Sequence, residues 1–211
     1  IADGATYIAT SGTTTITSEN SGTGIAWNNT GGTFTHNNGK VSFTTAASTI
    51  IRENTFYDFE MTADASGRVY EFRDVSGDAI TITRDLTIKE GNLKRTTVGD
   101  TFTVTGDVSI ESGGTLGHAD ETGANNFGSL TVASGGTYIA TSGTTTIKGG
   151  FRKADIAGTL TLNDGTWELG GTGGLLEGDL FKNSTVIINQ DKVGDYVGSD
   201  RVQITDATSI Q

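Results

Sequence analysis

The chain has 211 residues and is rich in Thr and Ser, with 31 Gly and no Pro or Cys. This composition argues against a largely helical protein, because Thr loses side-chain freedom in a helix but packs well on a pleated strand surface. A net charge of −11 argues against nucleic acid as a partner, since that binding requires Lys and Arg to neutralise phosphates, and no apolar run is long enough for membrane insertion.

The first predicted strands belong to a long repeat. The eleven residues Thr6–Ile16 (the first copy) recur unchanged at Thr137–Ile147 (the second copy). Such self-similarity is the signature of a repeat architecture. After a five-residue deletion, Thr33–Phe43 aligns with Thr159–Leu169. The chain therefore divides into a first repeat unit, a second and partial unit, and an end coil or the start of a further element, at residues 1–131, 132–188 and 189–211.

The middle of the chain contains a shorter period. Leu86-Thr87-Ile88, Val108-Ser109-Ile110 and Leu130-Thr131-Val132 follow one another at equal steps. The step, about 22 residues, suits a coil with three strands of about five residues and three corners. Aliphatic and hydroxyl residues alternate in each segment, so we expect the aliphatic side chains to form inward ladders through successive coils. Six such steps nearly equal the offset between the two copies, which predicts about six coils per long repeat.

These periods predict an all-β fold, a right-handed parallel β-helix (β-solenoid) of about 22 residues per coil. The alternative is a row of tandem immunoglobulin-like β-sandwiches, which have short strands but no such internal period. Ile1 aligns with Val132 at the end of a predicted strand. We therefore expect a segment of a longer protein, whose exposed N-terminal edge is covered by further coils, a cap or a neighbouring subunit.

Two stretches depart from this period. Asn126 stands where Val104 predicts an apolar residue, so we expect a one-residue bulge or a loop near Ala124–Phe127. Residues Ser48–Val75 are also off-period, and we expect wider coils there. This stretch contains six bulky residues, namely Phe56, Tyr57, Phe59, Met61, Tyr70 and Phe72.

The charged residues do not converge on a catalytic pattern. Asp58 with Glu60 alternates along one strand, as does Glu71 with Arg73, which is typical of a solvated outer surface. Asp85 and Asp107 fall on adjacent coils, where they would either attract a cation or stabilise turns; the position just before a strand favours the turn role. We predict no catalytic residue, no cofactor-binding residue and no enzyme activity.

Metal and sugar sites are weakly indicated. His36 and His118 lack the spacing of metal ligands, and we predict no metal site. Calcium is a weak alternative, resting on three Asp without a calcium-binding motif, Asp191, Asp195 and Asp200. Four aromatic residues are candidates for stacking on carbohydrate, with core packing the favoured alternative; they are Trp27, Tyr57, Tyr70 and Trp167.

Pairs of the form Thr-x-Thr raise the question of ice binding, which needs such pairs in one rank coil after coil. From Thr81 and Thr83, one regular step forward gives Thr103 and Thr105, but the step backward gives Phe59 with Met61 and the second step forward gives Asn125 with Phe127. We therefore expect the rank to break after two coils, which argues against an ice-binding surface.

Several motifs resemble those of a known group of repeats. They include Gly32-Thr33-Phe34-Thr35-His36-Asn37-Asn38-Gly39-Lys40-Val41, Asn54-Thr55-Phe56-Tyr57-Asp58 and Gly106-Asp107-Val108-Ser109-Ile110. They resemble tandem repeats of large structural proteins of uncultured marine phages and, more loosely, repeats of bacterial surface adhesins. The resemblance extends to about Leu169.

This resemblance implies a virion fibre, tail spike or extracellular filament, located on a virion surface or outside the cell. Adjoining repeats of the same or a longer chain would be its partners, with a homo-oligomer (a trimer in a fibre) and a cell-surface glycan as further ones. A bacterial adhesin is the first alternative function, and a polysaccharide-active β-helix enzyme or an ice-binding protein is the second. We expect no nucleic-acid partner and no membrane insertion.

Overall fold

The computed structural model describes residues 1–53, 55–65, 67–73, 79–95, 99–149 and 156–169, and the backbone of 185–188 and 209–210. No helix within these residues could cross a membrane. The regular elements are strands: β1 (Thr6–Ile8), β2 (Thr13–Ile16), β3 (Ile25–Asn28), β4 (Thr33–Thr35), β5 (Lys40–Phe43), β6 (Thr49–Arg52), β7 (Thr55–Phe56), β8 (Asp58–Thr62), β9 (Val69–Phe72), β10 (Ile80–Ile82), β11 (Leu86–Arg95), β12 (Phe102–Ile110), β13 (Gly114–Leu116), β14 (Asn125–Val132), β15 (Thr137–Ile139), β16 (Thr144–Ile147), β17 (Thr159–Thr161), β18 (Thr166–Leu169), β19 (Thr185–Ile188) and β20 (Ser209–Ile210).

The strands pair in parallel along three columns, which form the three sides of a β-solenoid of about six turns, about 22 residues apart. Side 1 runs through β2, β5, β8, the first half of β11 and the second halves of β12 and β14. Side 2 runs through β3, β6, β9, the second half of β11, β13, β15 and β17. Side 3 runs through β7, β10, the first halves of β12 and β14, β16, β18, β19 and β20.

The β1–β4 pair lies at the N-terminal end of side 3, where the ring centroids of Phe34 and Phe56 are 5.9 Å apart. All the pairs between these strands are parallel, whereas the sheets of an immunoglobulin-like sandwich are antiparallel. The fold is therefore the predicted solenoid and not the sandwich alternative.

The predicted inward ladder is confirmed. Ile88 pairs with Ile110, and Ile110 pairs with Val132, at 0% exposure for all three. On side 3, Ile80 pairs with Phe102 and Ile82 with Val104, as the regular step predicts. Full burial of one such aliphatic side chain contributes about 1.5–3 kcal/mol, so the ladder is a main source of stability.

The predicted irregularities are also present. The register between β12 and β14 shifts by one residue after Val104, so that Phe127 instead of Asn126 lies above Val104 and points inward. In the off-period stretch, Ser42 of β5 and its partner on β8, Glu60, are only 18 residues apart. The next turn on side 1 leads from β8 to β11. It is longer, because Asp58 at the start of β8 and Asp85 just before β11 are 27 residues apart. Of the two turns that pass through this stretch, the first is therefore shorter than average and the second is wider.

The long repeat spans about six turns, as predicted, but not a whole number of them. The first copy contributes β1 to side 3 and β2 to side 1, whereas the second copy contributes β15 to side 2 and β16 to side 3. Each copy keeps its own partners on the next turn: β1 pairs with β4 as β15 pairs with β17, and β2 pairs with β5 as β16 pairs with β18. Because the first unit contains longer turns, the chain completes five turns and two sides between the copies, and identical sequences lie on different sides.

Both repeat units have the same kind of corner, which lies between β4 and β5 in the first unit and between β17 and β18 in the second. Asn37 and Asn38 in the first unit, and Asn163 and Asp164 in the second, have positive φ between 48° and 56°. Asn and Asp tolerate this left-handed conformation better than other residues with side chains. The following residue in the first unit is Gly39, where a Cβ atom would lie 2.0 Å from a carbonyl oxygen of the turn below. Stacking of the turns therefore requires glycine at this corner.

Candidate functional site

The outward acids are paired with cations across neighbouring turns. Arg84 donates two hydrogen bonds to the Asp58 carboxylate. The Glu60 carboxylate lies 2.9 Å from Lys40 Nζ and 3.2 Å from Lys89 Nζ. Burial by itself would raise the pKa of Glu60, but hydrogen bonds from the two lysines outweigh it and lower the pKa. Both acids join successive turns, and the lowered pKa favours the ionised form of Glu60.

The other acid pairs have the same structural character. Glu71 lies 2.8 Å from Arg73 and 3.5 Å from Lys94. Asp85 Oδ1 accepts a hydrogen bond from the backbone N–H of Asp107 at 3.0 Å. These contacts support the predicted turn-stabilising role of Asp85 over cation binding.

The turn role continues along the column. Asp107 Oδ1 accepts a hydrogen bond from Ser129 Oγ at 2.6 Å, and the N–H of Asp85 donates to Asp58 Oδ1 at 3.2 Å. In the described part of the chain, no three His, Cys, Asp or Glu side chains form a group that could hold a metal ion. The weak calcium candidates, Asp191, Asp195 and Asp200, lie outside the described residues.

Both histidines shape turns. His36 Nδ1 accepts a hydrogen bond from the N–H of Asn38 at 3.1 Å, and His118 Nδ1 accepts one from the N–H of Asp120 at 3.3 Å. An Nδ1 atom that accepts a hydrogen bond is engaged as an acceptor and is not free to bind a metal.

The four candidate sugar-stacking residues do not offer open ring faces. Trp27 is 7% exposed, and Tyr70 and Trp167 are 0% exposed, so these three rings pack in the core because they occupy inward strand positions. Burial therefore rules out their predicted role in stacking on sugars.

Tyr57 is half-buried on the outside, between two neighbours. The ring of His36, from the turn before, stacks on it at 5.5 Å. The Arg84 guanidinium, from the turn after, lies 5.1 Å from its centroid. Because the two neighbours come from opposite directions along the solenoid, both faces of the Tyr57 ring are covered, and the sugar-stacking prediction fails here as well.

On side 3 the Thr-x-Thr pair occurs on two successive turns, as predicted, because the residue two after Thr55 is Tyr57, but a single column of Thr is longer than that. Thr55 lies under Thr81, because that turn is longer than the regular step, and Thr81 lies under Thr103. The prediction of Phe59 below Thr81 was wrong, since it assumed a constant step. The column then continues with Asn126, Thr146 and Glu168. The column of Thr thus spans three turns before Asn interrupts it.

A buried polar cluster inside the solenoid escaped the sequence analysis. Arg95 and Glu121 are 4% and 2% exposed and form an ion pair, and Arg95 also donates to the carbonyl oxygen of Asp100. Asn125 Nδ2 donates to the Tyr138 hydroxyl at 2.9 Å. Arg95 follows Leu93 on the inward side of β11, so strand alternation was a usable signal.

The cavity at this cluster is small. It is lined by Arg95, Glu121, Asn125, Phe102 and other residues, and it measures about 10 Å³. This volume corresponds to a single water site. The cluster therefore cannot admit a sugar or another organic substrate, and it is part of the core.

The N-terminal edge of the solenoid is the apolar surface that stands out among the described residues. Tyr7 and Ile8 of β1 are the exposed large apolar side chains, at 39% and 65%. The Tyr7 ring lies 5.9 Å from Trp27 and 6.0 Å from Phe34, so the exposed edge is continuous with the core. Exposed apolar strand edges of this kind mark contact surfaces.

Comparison with known proteins adds no further assignment: no family model matches this chain, and it has no match among curated proteins or solved structures.

Proposed function

We propose that this chain is a structural segment of a virion fibre, tail spike or other extracellular filament, and that it is not an enzyme. The observation that carries the proposal is the unbroken inward ladder through parallel turns, exemplified by Ile88, Ile110 and Val132. A stack of this kind transmits load along its axis, because every turn is bonded to the next through the backbone, about 4.8 Å away.

Interior and exterior contacts both run along the axis. Inside, aromatic rings contact one another from turn to turn at centroid distances of 5.8–6.1 Å, in the order Phe72, Phe102, Phe127, Tyr138 and Trp167. Outside, carboxylates and cations on neighbouring turns form ion pairs. These contacts support a rigid spacer, since local bending of the axis would break several of them at once.

The described residues give little support to a polysaccharide-active enzyme. Such an enzyme uses two carboxyl groups that face a common substrate and differ in their protonation. Here Asp58, Glu60 and Glu71 form ion pairs with Arg and Lys, and the cavity at Arg95 has the size of one water molecule. This supports a structural role over the enzyme alternative.

Ice binding is also less well supported than a filament. It requires one side of the rod to repeat the same outward residues, but the two identical copies lie on different sides. In an array of such units, a Thr-rich segment would move to another side with each repeat.

A bacterial adhesin with the same rod is the second candidate, and localisation separates it from a virion fibre. Gold-labelled antibodies against this chain should bind filaments or spikes of virions in electron micrographs, with pre-immune serum as control. Labelling confined to bacterial cell surfaces would favour the adhesin.

A further test concerns the enzyme alternative and the oligomeric state. We expect no release of reducing ends from a panel of bacterial polysaccharides, and light scattering should give the mass of a trimer if the segment comes from a fibre. Polysaccharide cleavage that is lost in Asp58→Asn or Glu60→Gln would overturn the proposed function.

A further inference from the structure

The two copies of the eleven-residue repeat allow one region of the protein to be interpreted through another. On their C-terminal side the two copies have equivalent neighbours. The N–H of Lys40 donates to Gly12 O at 2.9 Å, and in the second copy the N–H of Thr166 donates to Gly143 O at 2.9 Å. The two copies therefore have the same local structure.

Their N-terminal sides differ. Tyr138 and Thr141 of the second copy are 0% exposed, because the preceding coil, residues 110–131, lies against them. The equivalent residues of the first copy, Tyr7 and Thr10, are exposed, and β1 pairs with β4 alone among the described strands. The same sequence is thus covered in one place and bare in the other.

Residues 110–131 cover the second copy by specific contacts. Leu116 pairs with Tyr138, and Phe127 pairs with Ile147. Glu121 O accepts hydrogen bonds from Thr141 Oγ1 at 3.0 Å and from the N–H of Ser142 at 2.9 Å. Each position of the second copy that makes these contacts has an identical residue in the first.

A glycine gives independent support. At Gly143 an added Cβ atom would lie 2.2 Å from Thr122 O in the covering coil, so that position requires glycine. At Gly12, its equivalent, the nearest atom would be 3.6 Å away and belongs to the local Thr10 side chain. None of the atoms near Gly12 requires glycine at that position. A coil that covered the first copy as residues 110–131 cover the second would require it.

We propose that the N-terminal edge formed by β1 and β2 is a docking site for a solenoid coil with the chemistry of residues 110–131. In that coil a Leu lies on Tyr7 and a Phe lies on Ile16, as Leu116 and Phe127 lie on the second copy. A backbone carbonyl accepts from Thr10 and Ser11. This assignment follows from strand pairing and holds whatever the filament does.

One corner of this interface must differ slightly. Ala5 stands where the second unit has Gly136, and a Cβ atom at Gly136 would lie 2.8 Å from Glu111 O. The covering coil must therefore lie slightly farther out at Ala5. The substitution Ala5→Gly should relieve this contact and tighten docking.

The test is to join residues 110–131 to the N-terminus of the full chain, so that Thr131 precedes Ile1 as it precedes Val132. Hydrogen exchange should then slow by about tenfold or more in the first copy, towards the rate of the second. The two copies are distinguished by peptides that extend into their different flanks. In matched controls, the added segment is shuffled, or carries Leu116→Asp and Phe127→Asp.

A second readout separates specific docking from general stabilisation. Gly12→Ala should have little effect on the unfolding temperature of the original chain but should lower that of the extended chain, because only there does a carbonyl oxygen approach residue 12. Unchanged exchange in the extended chain, equal protection by the shuffled segment, or a Gly12→Ala effect that is the same in both chains would each overturn the proposal. None of these results bears on whether the segment belongs to a filament.

Discussion

The first and second copies have the same eleven residues and different surroundings. Tyr7 is 39% exposed and Tyr138 is 0% exposed, although their strands have identical sequences and each has an equivalent neighbour on the next turn. The comparison shows that burial in a solenoid is a property of the stack and not of the strand. The same inward residue is fully buried where turns lie on both sides of it and is partly exposed where one side is open.

The largest expected difference in the free energy of unfolding is between the variants Tyr138→Ala and Tyr7→Ala. Tyr138→Ala should lower the free energy of unfolding by about 4 kcal/mol, because it leaves a cavity between packed turns. Tyr7→Ala should cost about 1 kcal/mol or less, since its ring is partly solvated already. Urea denaturation of both variants measures the difference. Equal losses would mean that the edge is covered in solution.

The next largest effect concerns the coil that covers the second copy. Glu121→Gln should cost about 3 kcal/mol, because it leaves the Arg95 charge buried without its partner. The double variant Arg95→Met with Glu121→Leu should cost less than Glu121→Gln alone, since it buries no unpaired charge. Denaturation of the single and double variants tests this, and a double variant with additive losses would contradict it.

Alkaline pH probes the same interior. Burial raises the pKa of Tyr138 to about 12 from a usual value of 10.0, despite opposing hydrogen bonds from Thr145 and Asn125. The folded state therefore favours the neutral phenol, and this contribution is complete below pH 10 and is lost between pH 10 and about 12. Its size is between about 2 and 3 kcal/mol.

Comparison with Tyr138→Phe isolates this contribution. Between pH 9 and pH 12 the wild-type protein should lose between about 2 and 3 kcal/mol more stability than Tyr138→Phe, because Phe has no proton to lose. Urea unfolding at the two pH values measures it. Equal losses in the two proteins would show that Tyr138 ionises in the folded protein as readily as in the unfolded chain, and would contradict the raised pKa.

Glycine substitutions give a smaller effect and the closest match between the copies. Gly143→Ala should cost about 2 kcal/mol, since its Cβ would clash with the Thr122 carbonyl of the covering coil. Gly12→Ala should be neutral, or stabilising by about 0.5 kcal/mol, because the site is open and Ala restricts the unfolded chain. Thermal unfolding of both variants checks the pair. A costly Gly12→Ala would indicate a contact absent from this stack.

The sequence predicted those parts of the fold in which the period is constant. The column of Ile88, Ile110 and Val132 follows from equal steps along the chain. The rotation of one repeat relative to the other was not foreseen, because it depends on turns of unequal length. Two turns of the first unit have 27 residues and one has 18, whereas the sequence alone shows only that a five-residue deletion separates the two units.

Side-chain sites were predicted less well, for a related physical reason. Both faces of the Tyr57 ring are covered by residues from two other turns, so the prediction required the register of those turns. Arg84 lies beside Tyr57 because an irregular step pairs Thr55 with Thr81. Arg95 was missed because Gly91, with a φ of 92°, turns β11 from one side to the next and resets the alternation before Leu93. The alternation of Leu93 with Arg95 was the one available signal.

The smallest effect lies outside the core, where the two units differ in sequence. Ser42 of the first unit stands where the second unit has Glu168, and its hydroxyl donates to Glu60 Oε1 at 3.2 Å. Because Lys40 and Lys89 lower the pKa of Glu60, its contribution is present above pH 4.5 and is lost as the pH falls through the folded-state pKa. Glu60→Gln should therefore reduce stability by about 1 kcal/mol or less at pH 7 and by less near pH 2, because protonation of Glu60 weakens its pairing with the two lysines. Denaturation at the two pH values measures this. A loss at pH 7 as large as that of Glu121→Gln would mean that ion pairs on the outside hold the turns together as strongly as the interior does.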